Sequence, residues 1–310
     1  IILPFKGHLI LLNTIEQDVP ATKNERYVNR CRYSQLGSPL DANAFIEPGL
    51  ANAQGGDLID APTPEAIVSA EFIKDRLIVY FEKSTWELAY TGNGVFPFVW
   101  QQINTELGSQ ATLSTIPFDK MVFTIGSTGV HACNGANVER IDNKIPNQIF
   151  NINNDKEGSK RISGIRDYYT EMVYWTYPSD NQGEFQNYPN KVLVYNYKNG
   201  SWALNDDSIT ALGYFDGQLS ETWATTFEAW QEMNVTWAGG PISFQFRQVI
   251  AGNQEGYIFI VSPDTSSNIS CLQISDLQIL PTLLPDEFIV EVVDHNLIQG
   301  DWIKIVDPVG

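Results

Sequence analysis

Few side chains in this sequence have the type and spacing that catalysis or metal binding requires. The three histidines, His8, His131 and His295, are isolated from one another in the chain. We interpret each as a polar residue of a strand or turn; a metal site that combines all three is the alternative. The sequence has no Gly-x-x-x-x-Gly-Lys-Ser/Thr, His-Glu-x-x-His, Gly-x-Ser-x-Gly or Cys-x-x-Cys motif. The signatures of phosphate-loop, zinc-protease, serine-hydrolase and dithiol chemistry are therefore missing.

Two short segments carry residue types that enzymes use. Asp206-Asp207 is a carboxylate pair of the kind that serves acid–base or calcium chemistry. It follows a predicted hairpin, and turns select Asp on their own, so a solvated turn is the favoured interpretation. Ser84-Thr85-Trp86 is faintly similar to the Asp-box of sialidases, but the defining Asp and Gly are missing. We predict no catalytic residue in either segment.

An aromatic run at Trp223, Phe227, Trp230 and Trp237 allows two interpretations. It resembles a carbohydrate-binding platform, but its spacing does not alternate as the exposed face of one strand would. Aromatic rings of this density are commonly buried between packed sheets, so core packing is the favoured interpretation. The sequence therefore predicts no catalytic residue, no cofactor-binding residue, no cofactor and no metal ligand, and we expect no enzymatic activity.

A recurring strand pattern must position any site that the chain has. Each copy consists of a short apolar run, a tight turn and a return strand that carries an aromatic residue. The clearest copies run from Lys191 to Leu204 and from Arg76 to Leu88, and looser copies begin near His8, Lys120, Glu171 and Arg247. Repetition on this scale predicts the blades of a β-propeller. Asn199-Gly200 predicts a two-residue hairpin turn with positive φ at both positions.

These repeats predict an all-β chain with two parts. A β-propeller is expected at 1–263, with about five four-stranded blades in this sequence and six in the full chain. Inserted loops are expected near 37–65 and 216–243, and the stretch from Glu221 to Met233 is the one candidate helix. Residues 264–310 are expected to form a linker and the beginning of a small β-barrel-like module, with strands at Phe288 to Val293 and Trp302 to Val306.

The composition excludes several classes of protein. A chain that is 43% hydrophobic and 12% aromatic is too apolar to be disordered. No apolar run approaches the length that crosses a bilayer, so no membrane span is expected. Cys31, Cys133 and Cys271 are odd in number and far apart, which favours buried free thiols over a disulfide framework.

The net charge of −18 is unevenly distributed. Residues 201–310 hold 15 acids and two bases, a net of −13, whereas residues 1–200 have a net charge of −5. One interpretation is a solubilising surface. The other is an acidic wall that faces a basic partner, or past which a negatively charged polymer slides. A conventional nucleic-acid-binding protein is disfavoured, because phosphate neutralisation requires Lys and Arg.

Several of these segments resemble the tail-associated propeller proteins of short-tailed bacteriophages. The resemblance covers roughly residues 5–262 and is a pattern of blade sequences, not one diagnostic motif. The segments that carry it are Arg32 to Gly37, Phe72 to Phe81 with Ser84 to Leu88, Ile103 to Gly108, Gly129 to Gly135, Glu139 to Asp142 and Val194 to Lys198. Separately, His295 and Leu297 with Gly300-Asp301, Ile303 and Ile305 resemble the small β modules appended to phage structural proteins.

The resemblance implies a non-enzymatic virion protein of the tail, either the nozzle or the head-to-tail adaptor. Members of this class form a six-fold ring around the DNA channel, contact other tail and adaptor proteins, and let double-stranded DNA pass without sequence-specific binding. We therefore expect a homo-oligomer that is assembled in the bacterial cytoplasm and located in the virion. The alternative is a tail propeller that binds or cleaves host glycans, and a minor alternative is a cellular scaffold propeller.

Overall fold

A computed structural model describes residues 1–17, 24–145, 152, 160–179, 188–215, 247–254 and 256–261, together with the backbone of strands at 274–278 and 289–292. The chain divides into two units, Ile1–Val261 and Ser262–Gly310, which are described separately. Regular structure in the described residues is almost entirely β-strand, so the predicted all-β class is confirmed.

The first unit consists of antiparallel sheets that follow one another along the chain. Sheet 1 contains β1 (Ile2–Phe5), β2 (His8–Gln17), β3 (Asn24–Tyr33) and β4 (Asp57–Asp60). Sheet 2 contains β5 (Ile67–Ile73), β6 (Arg76–Phe81), β7 (Thr85–Tyr90) and β8 (Phe98–Asn104). Sheet 3 contains β9 (Ile116–Pro117), β10 (Val122–Ile125), β11 (Val130–Cys133) and β12 (Val138–Arg140).

Two further sheets complete this unit as far as the structure describes it. Sheet 4 contains β13 (Ser163–Asp167), β14 (Met172–Tyr177), β15 (Lys191–Asn196) and β16 (Ser201–Asn205). Sheet 5 contains β17 (Ala211–Phe215), β18 (Gln248–Gly252) and β19 (Ile258–Ile260). In every sheet the strands pair in chain order and each is antiparallel to the next, so each sheet is a local meander.

The inner strands carry apolar side chains on both faces, and both faces are buried. In β6, Leu77, Val79 and Phe81 belong to the core shared with sheet 1. Ile78 and Tyr80 belong to the core shared with sheet 3. Successive side chains of a strand point to opposite faces, so this continuous apolar run fits a strand that is covered on both sides.

The same arrangement continues through the series of sheets. Val173, Trp175 and Tyr177 of β14 pack in the core between sheets 3 and 4. Tyr174, on the opposite face of that strand, packs with Val249 of β18 in the core between sheets 4 and 5. Each consecutive pair of sheets is therefore joined by an apolar core.

The first strands of sheets 2 to 5 lie side by side. β5 neighbours β9, β9 neighbours β13 and β13 neighbours β17, while β5 also lies beside β2 of sheet 1. Leu113 and Ser163 form a parallel bridge, and the amide of Gly164 donates to the carbonyl of Leu113 at 2.8 Å. The meanders are thus arranged side by side in chain order.

The predicted extent of the loop at 37–65 is wrong. The loop predicted at 37–65 ends earlier, because Asp57–Asp60 forms β4 and pairs with β3. Its turns lie on sheet 1: the amide of Gln35 donates to the carbonyl of Ala44 at 2.7 Å, and a Cβ at Gly56 would overlap that same carbonyl. Close packing, which only glycine permits at position 56, holds the end of this connection against Ala44 and Phe45 in its middle.

The turn at Asn199-Gly200 differs from the predicted two-residue hairpin. Residues 197–200 connect β15 to β16, and of the predicted pair only Gly200 has a positive φ, of 67°. The side chain of Asn196 accepts from the amides of Lys198 and Asn199 at 3.0 and 3.1 Å. These bonds stabilise a four-residue turn, so the hairpin forms as predicted but with a longer connection.

The second unit contains an antiparallel pair, β20 (Ile274–Gln278) and β21 (Ile289–Val292). β21 confirms the strand predicted at Phe288 to Val293. The strand predicted at Trp302 to Val306, the insertion predicted near 216–243 and the helix predicted from Glu221 to Met233 lie outside the described residues.

Candidate interaction surface

His8 is a structural residue of sheet 1. It is buried, and its Nδ1 donates to the carbonyl of Ser34 at 2.6 Å. The ring packs edge-on against Tyr33 and Phe98, with centroid distances of 5.8 and 5.3 Å. His8 therefore helps to join sheet 1 to sheet 2.

His131 lies in the joint between sheets 2 and 3. Its Nδ1 is 3.2 Å from the carbonyl oxygen of Gly108, and its Nε2 is 3.0 Å from the hydroxyl of Thr128. A carbonyl only accepts, so Nδ1 carries the proton and Nε2 accepts from Thr128. Burial lowers the pKa of His131, which keeps the ring neutral at pH 7. Both ring nitrogens are thus used by the fold, while His295 lies outside the described residues.

Asp206 and Asp207 lie at the surface, as the turn interpretation predicts. Asp206 is 2.6 Å from the Nζ of Lys191, and its side chain is 81% exposed. Asp207 is exposed as well. Within the described ranges, no group of three or more His, Cys, Asp or Glu side chains is arranged to hold a metal ion.

Ser84-Thr85-Trp86 forms a chain of structural hydrogen bonds. The indole of Trp86 donates to the hydroxyl of Ser84 at 2.9 Å, and Ser84 donates to the carboxylate of Glu65 at 2.8 Å. Thr85 donates to the carbonyl of Leu107 at 2.5 Å. All three residues are buried, so they anchor the β6–β7 turn.

Residues that carry the resemblance also form links between strands and sheets. Arg76 donates to both carboxylate oxygens of Glu87 across sheet 2, at 2.8 and 2.5 Å. It also donates to the carbonyl of Gly135, in the connection between β11 and β12 of sheet 3, at 2.6 Å. Arg140 binds Asp142 with two hydrogen bonds, at 2.5 and 3.1 Å, and the Asp142 side chain is fully buried. These bidentate pairs fix side-chain geometry.

A cluster of hydroxyl groups lies in the interface between sheets 2 and 3, which we call the joint between these sheets. Thr124 contacts the hydroxyls of Ser109 and Ser114 at 2.8 and 3.2 Å, and Thr115 donates to Ser69 at 2.7 Å. These hydroxyls bind one another and backbone carbonyls, which satisfies polar groups inside an otherwise apolar joint. Sequence reasoning missed this cluster because its members come from separate strands and loops.

The cysteine prediction is confirmed for the two cysteines that the structure describes. Cys31 and Cys133 are both free and buried. Burial raises the pKa of each thiol. Neither has the low pKa of a reactive cysteine. Cys271 and the aromatic run from Trp223 to Trp237 lie outside the described residues.

Arg166 of β13 differs from the other sites because it extends into a cage of aromatic rings. Its guanidinium carbon lies 4.1 Å from the ring centre of Phe118, 4.5 Å from that of Tyr168 and 4.9 Å from that of Tyr197. Phe118 and Tyr197 pack edge to face, with centroids 5.1 Å apart. Ring faces attract a guanidinium and orient its plane, but they do not neutralise its charge.

The hydrogen-bonding capacity of Arg166 is only partly used. Nη2 donates to the hydroxyl of Tyr197 at 3.4 Å, and the buried Nε has no hydrogen-bond partner among the described residues. The adjacent carboxylate of Asp167 instead accepts from Tyr169 and Thr170 at 2.9 and 2.7 Å. Within the described part of the chain, Arg166 forms no ion pair, whereas Arg76 and Arg140 are each bound to a carboxylate.

Two partly exposed tyrosines lie beside Arg166, Tyr168 against its guanidinium and Tyr214 at its backbone. Tyr168 and Tyr214 are 43% and 40% exposed, and their ring centres are 6.1 Å apart. The hydroxyl of Tyr214 donates to the backbone carbonyl of Arg166 at 2.6 Å, and burial raises the pKa of Tyr214 to about 12. We call Phe118, Arg166, Tyr168, Tyr197 and Tyr214 the Arg166 surface. Its chemistry suits the binding of an anionic group.

Comparisons with known proteins assign no family to this chain. No family model matches the sequence, and no curated protein matches it. Among the described residues, no helix combines the length and apolar character needed to cross a bilayer.

Proposed function

We propose that this chain is a non-enzymatic structural protein of a bacteriophage tail, either nozzle or head-to-tail adaptor, built around a β-propeller. In the intact particle it forms part of a ring around the DNA channel, six-fold by resemblance, and helps to retain or deliver the genome. Its partners are further copies of itself, other tail and adaptor proteins, and the DNA that passes through the channel.

The observation that carries this proposal is the ordered series of meander sheets with adjacent first strands. In a propeller, the first strand of every blade lies near the central axis and consecutive blades pack face to face. β5, β9, β13 and β17 follow one another in this manner, and an apolar core lies between each consecutive pair of sheets. This is the arrangement expected of consecutive blades.

The bonding of the candidate catalytic residues supports a structural role. His131 uses both ring nitrogens, Asp206 pairs with Lys191, and Ser84 and Thr85 donate to a carboxylate and a carbonyl. The acidic stretch at 201–310 lies mostly outside the described residues. Its proposed place at the channel or against a more basic ring follows from its charge, since an acidic wall does not retain DNA.

The test is to locate the chain in phage particles. Tailed particles from a producing culture are purified on a density gradient, quantified by mass spectrometry and reconstructed by cryo-electron microscopy. We expect the chain to co-sediment with a major capsid protein, in a copy number that is a multiple of six, at a ring around the channel. A soluble host enzyme is the negative control. Recovery of the chain only in the soluble fraction would rule out the virion location.

A second experiment separates this proposal from the glycan alternative. The 310-residue chain is incubated with purified surface polysaccharide of the host, and bound sugar and released reducing ends are measured. The structural proposal predicts neither binding nor turnover. Saturable binding or release of oligosaccharide would favour the glycan-directed propeller.

A further inference from the structure

The Arg166 surface has the composition of a protein contact, and no carboxylate of the described residues pairs with its charge. Protein interfaces are enriched in Tyr and Arg, and these two residue types dominate their energetic centres. Here a guanidinium and two partly exposed tyrosine rings lie together, at the ends of β13 and β17.

The guanidinium is oriented before any partner binds. Phe118 and Tyr197 hold its plane from within the fold, and the hydroxyl of Tyr214 holds the backbone of Arg166. Preorganisation lowers the entropy cost of binding, because fewer rotamers are lost on contact. A planar guanidinium whose Nε is unpaired among the described residues fits a carboxylate, which guanidinium groups bind through two parallel hydrogen bonds.

The charge of the chain indicates what supplies that carboxylate. The sequence has 37 acidic and 19 basic residues, so every copy carries surplus carboxylates. Like-charged copies repel each other at long range, but salt screens this repulsion beyond about 8 Å at physiological ionic strength. A short-range bond between a guanidinium and a carboxylate then decides where two copies meet.

We propose that the Arg166 surface is a self-association site that receives a carboxylate side chain from a second copy of this chain. The inference rests on the ring in the proposed function and deepens it by naming the residues through which copies meet. Arg166 supplies the charge and the hydrogen bonds, while Tyr168 and Tyr214 exclude water from around them.

The test measures self-association of the 310-residue chain by sedimentation velocity and native mass spectrometry over a range of concentrations. We expect the unaltered chain to form oligomers and Arg166→Gln to raise the dissociation constant by at least about 10-fold, as for a residue at the centre of an interface. Arg166→Lys keeps the charge but loses the planar fork, and should have an intermediate effect.

A second variant keeps the proposal testable if Arg166→Gln alters folding. Tyr168→Ser removes a partly exposed ring of the surface and should also weaken association. Tyr90→Ser is the matched control, because Tyr90 is 41% exposed and lies in sheet 2, away from this surface. Circular dichroism and thermal unfolding verify that each variant is folded.

Three results would overturn the self-association site. The first is that the unaltered chain is monomeric at every concentration. The second is that Arg166→Gln and Tyr168→Ser associate as strongly as the unaltered chain. The third is that the surface binds an oligonucleotide and not a second copy. The result of this test is independent of whether the chain is located in the phage tail. Arg166-dependent oligomers of a chain that is missing from phage particles would contradict only the tail location. A ring in particles that is unaffected by Arg166→Gln would contradict only this contact.

Discussion

Sheet 2 and sheet 5 have the same antiparallel strand order but differ in what covers their faces. In β6 of sheet 2, the five residues from Leu77 to Phe81 are fully buried, because sheet 1 covers one face and sheet 3 the other. In β19 of sheet 5, Ile258, Phe259 and Ile260 are all exposed, and Ile258 reaches 76%. Sheet 5 packs against sheet 4 through Val249 and Ala251 of its middle strand.

This difference shows that the position of a strand in its sheet, and of the sheet in the series, determines how deeply an apolar segment is buried. The segments Leu77-Ile-Val-Tyr-Phe81 and Tyr257-Ile-Phe-Ile-Val261 are equally apolar. The free energy of burial depends on the apolar area that is removed from water, so the same side chain stabilises sheet 2 more than sheet 5. Stability should therefore be concentrated in the joints between sheets.

The largest loss of folding stability is expected from Phe81→Ala. Phe81 is fully buried and packs edge-on against Trp86 and Trp100, at 6.1 and 5.7 Å between ring centres. Removing this ring should lower the free energy of unfolding by about 3–5 kcal/mol, through lost burial and the cavity that remains. Urea denaturation followed by tryptophan fluorescence measures the change.

Phe259→Ala provides the matched control for the same substitution. Phe259 is 41% exposed, so its removal should cost less than about 1 kcal/mol. Equal losses from the two variants would contradict the comparison, since they would mean that sheet 5 is as well covered as sheet 2.

Gly108→Ala should have the next largest effect. A Cβ at this position would overlap the carbonyl oxygen of Phe81, which already accepts from the amide of Ser109 at 2.9 Å. The backbone there cannot move without breaking the joint, so the cost should be about 1–3 kcal/mol, typical of overpacking. Thermal and urea unfolding report it.

Gly213→Ala is the corresponding change in sheet 5. Its Cβ would lie 3.7 Å from the side chain of Ile250, which is an ordinary contact, so stability should be unchanged or slightly higher. A loss at Gly213 similar to that at Gly108 would mean that sheet 5 is covered by a neighbour as closely as sheet 2 is.

The middle strands of the fold could be predicted from sequence because their signal is local. β6 and β15 are apolar runs followed by a turn and a return strand, so pattern and pairing partner lie within a few residues of each other. The first strands could not be predicted in the same way. β9 has two residues, Ile116 and Pro117, and β13 reads Ser-Gly-Ile-Arg-Asp. Their extended form depends on neighbouring sheets.

The candidate site could not be predicted for a related reason. Phe118, Arg166 and Tyr197 are separated by 48 and 31 residues, and only packing of sheet 3 against sheet 4 brings them together. No residue spacing signals such a cage. The adjacent Arg166 and Tyr168 are the one local hint, and an arginine near a tyrosine is common in surface loops. That the chain has no catalytic residues stays a prediction.

A smaller loss of stability is expected at acidic pH, because His131 becomes protonated. Burial lowers its folded-state pKa, the hydrogen bond to the Gly108 carbonyl and the charge of Asp142 oppose this shift, and the charge of Arg140 adds to it. The unfolded chain therefore takes up a proton before the folded chain does. Stability from this group is complete above pH 6.5, the ordinary pKa of histidine, and falls as the pH drops below it. The slope cannot exceed about 1.4 kcal/mol per pH unit for one proton.

The variant His131→Gln isolates this contribution. Glutamine keeps a donor for the carbonyl of Gly108 but does not titrate, so the stability difference between the two proteins should shrink between pH 7 and pH 5. Carboxylates common to both proteins cancel in that difference. A difference that stays constant over this range would mean that water reaches His131, and that the joint between sheets 2 and 3 is more open than the core of sheet 2.

The smallest effect, and the one whose sign is most informative, is expected from Tyr80→Phe. The hydroxyl of Tyr80 is buried in sheet 2, and its polar neighbour among the described residues is the thiol of Cys133, a weak hydrogen-bonding group. Its removal loses at most this weak contact with sulfur and relieves the cost of burying a polar group, so stability should be unchanged or higher by up to about 1 kcal/mol. In sheet 5, Tyr214→Phe should instead cost about 1 kcal/mol, because that hydroxyl donates to the carbonyl of Arg166 at 2.6 Å. Calorimetry of the two variants compares them directly. A clear loss of stability in Tyr80→Phe would contradict this expectation, because it would mean that the contact with the Cys133 thiol is a stabilising hydrogen bond.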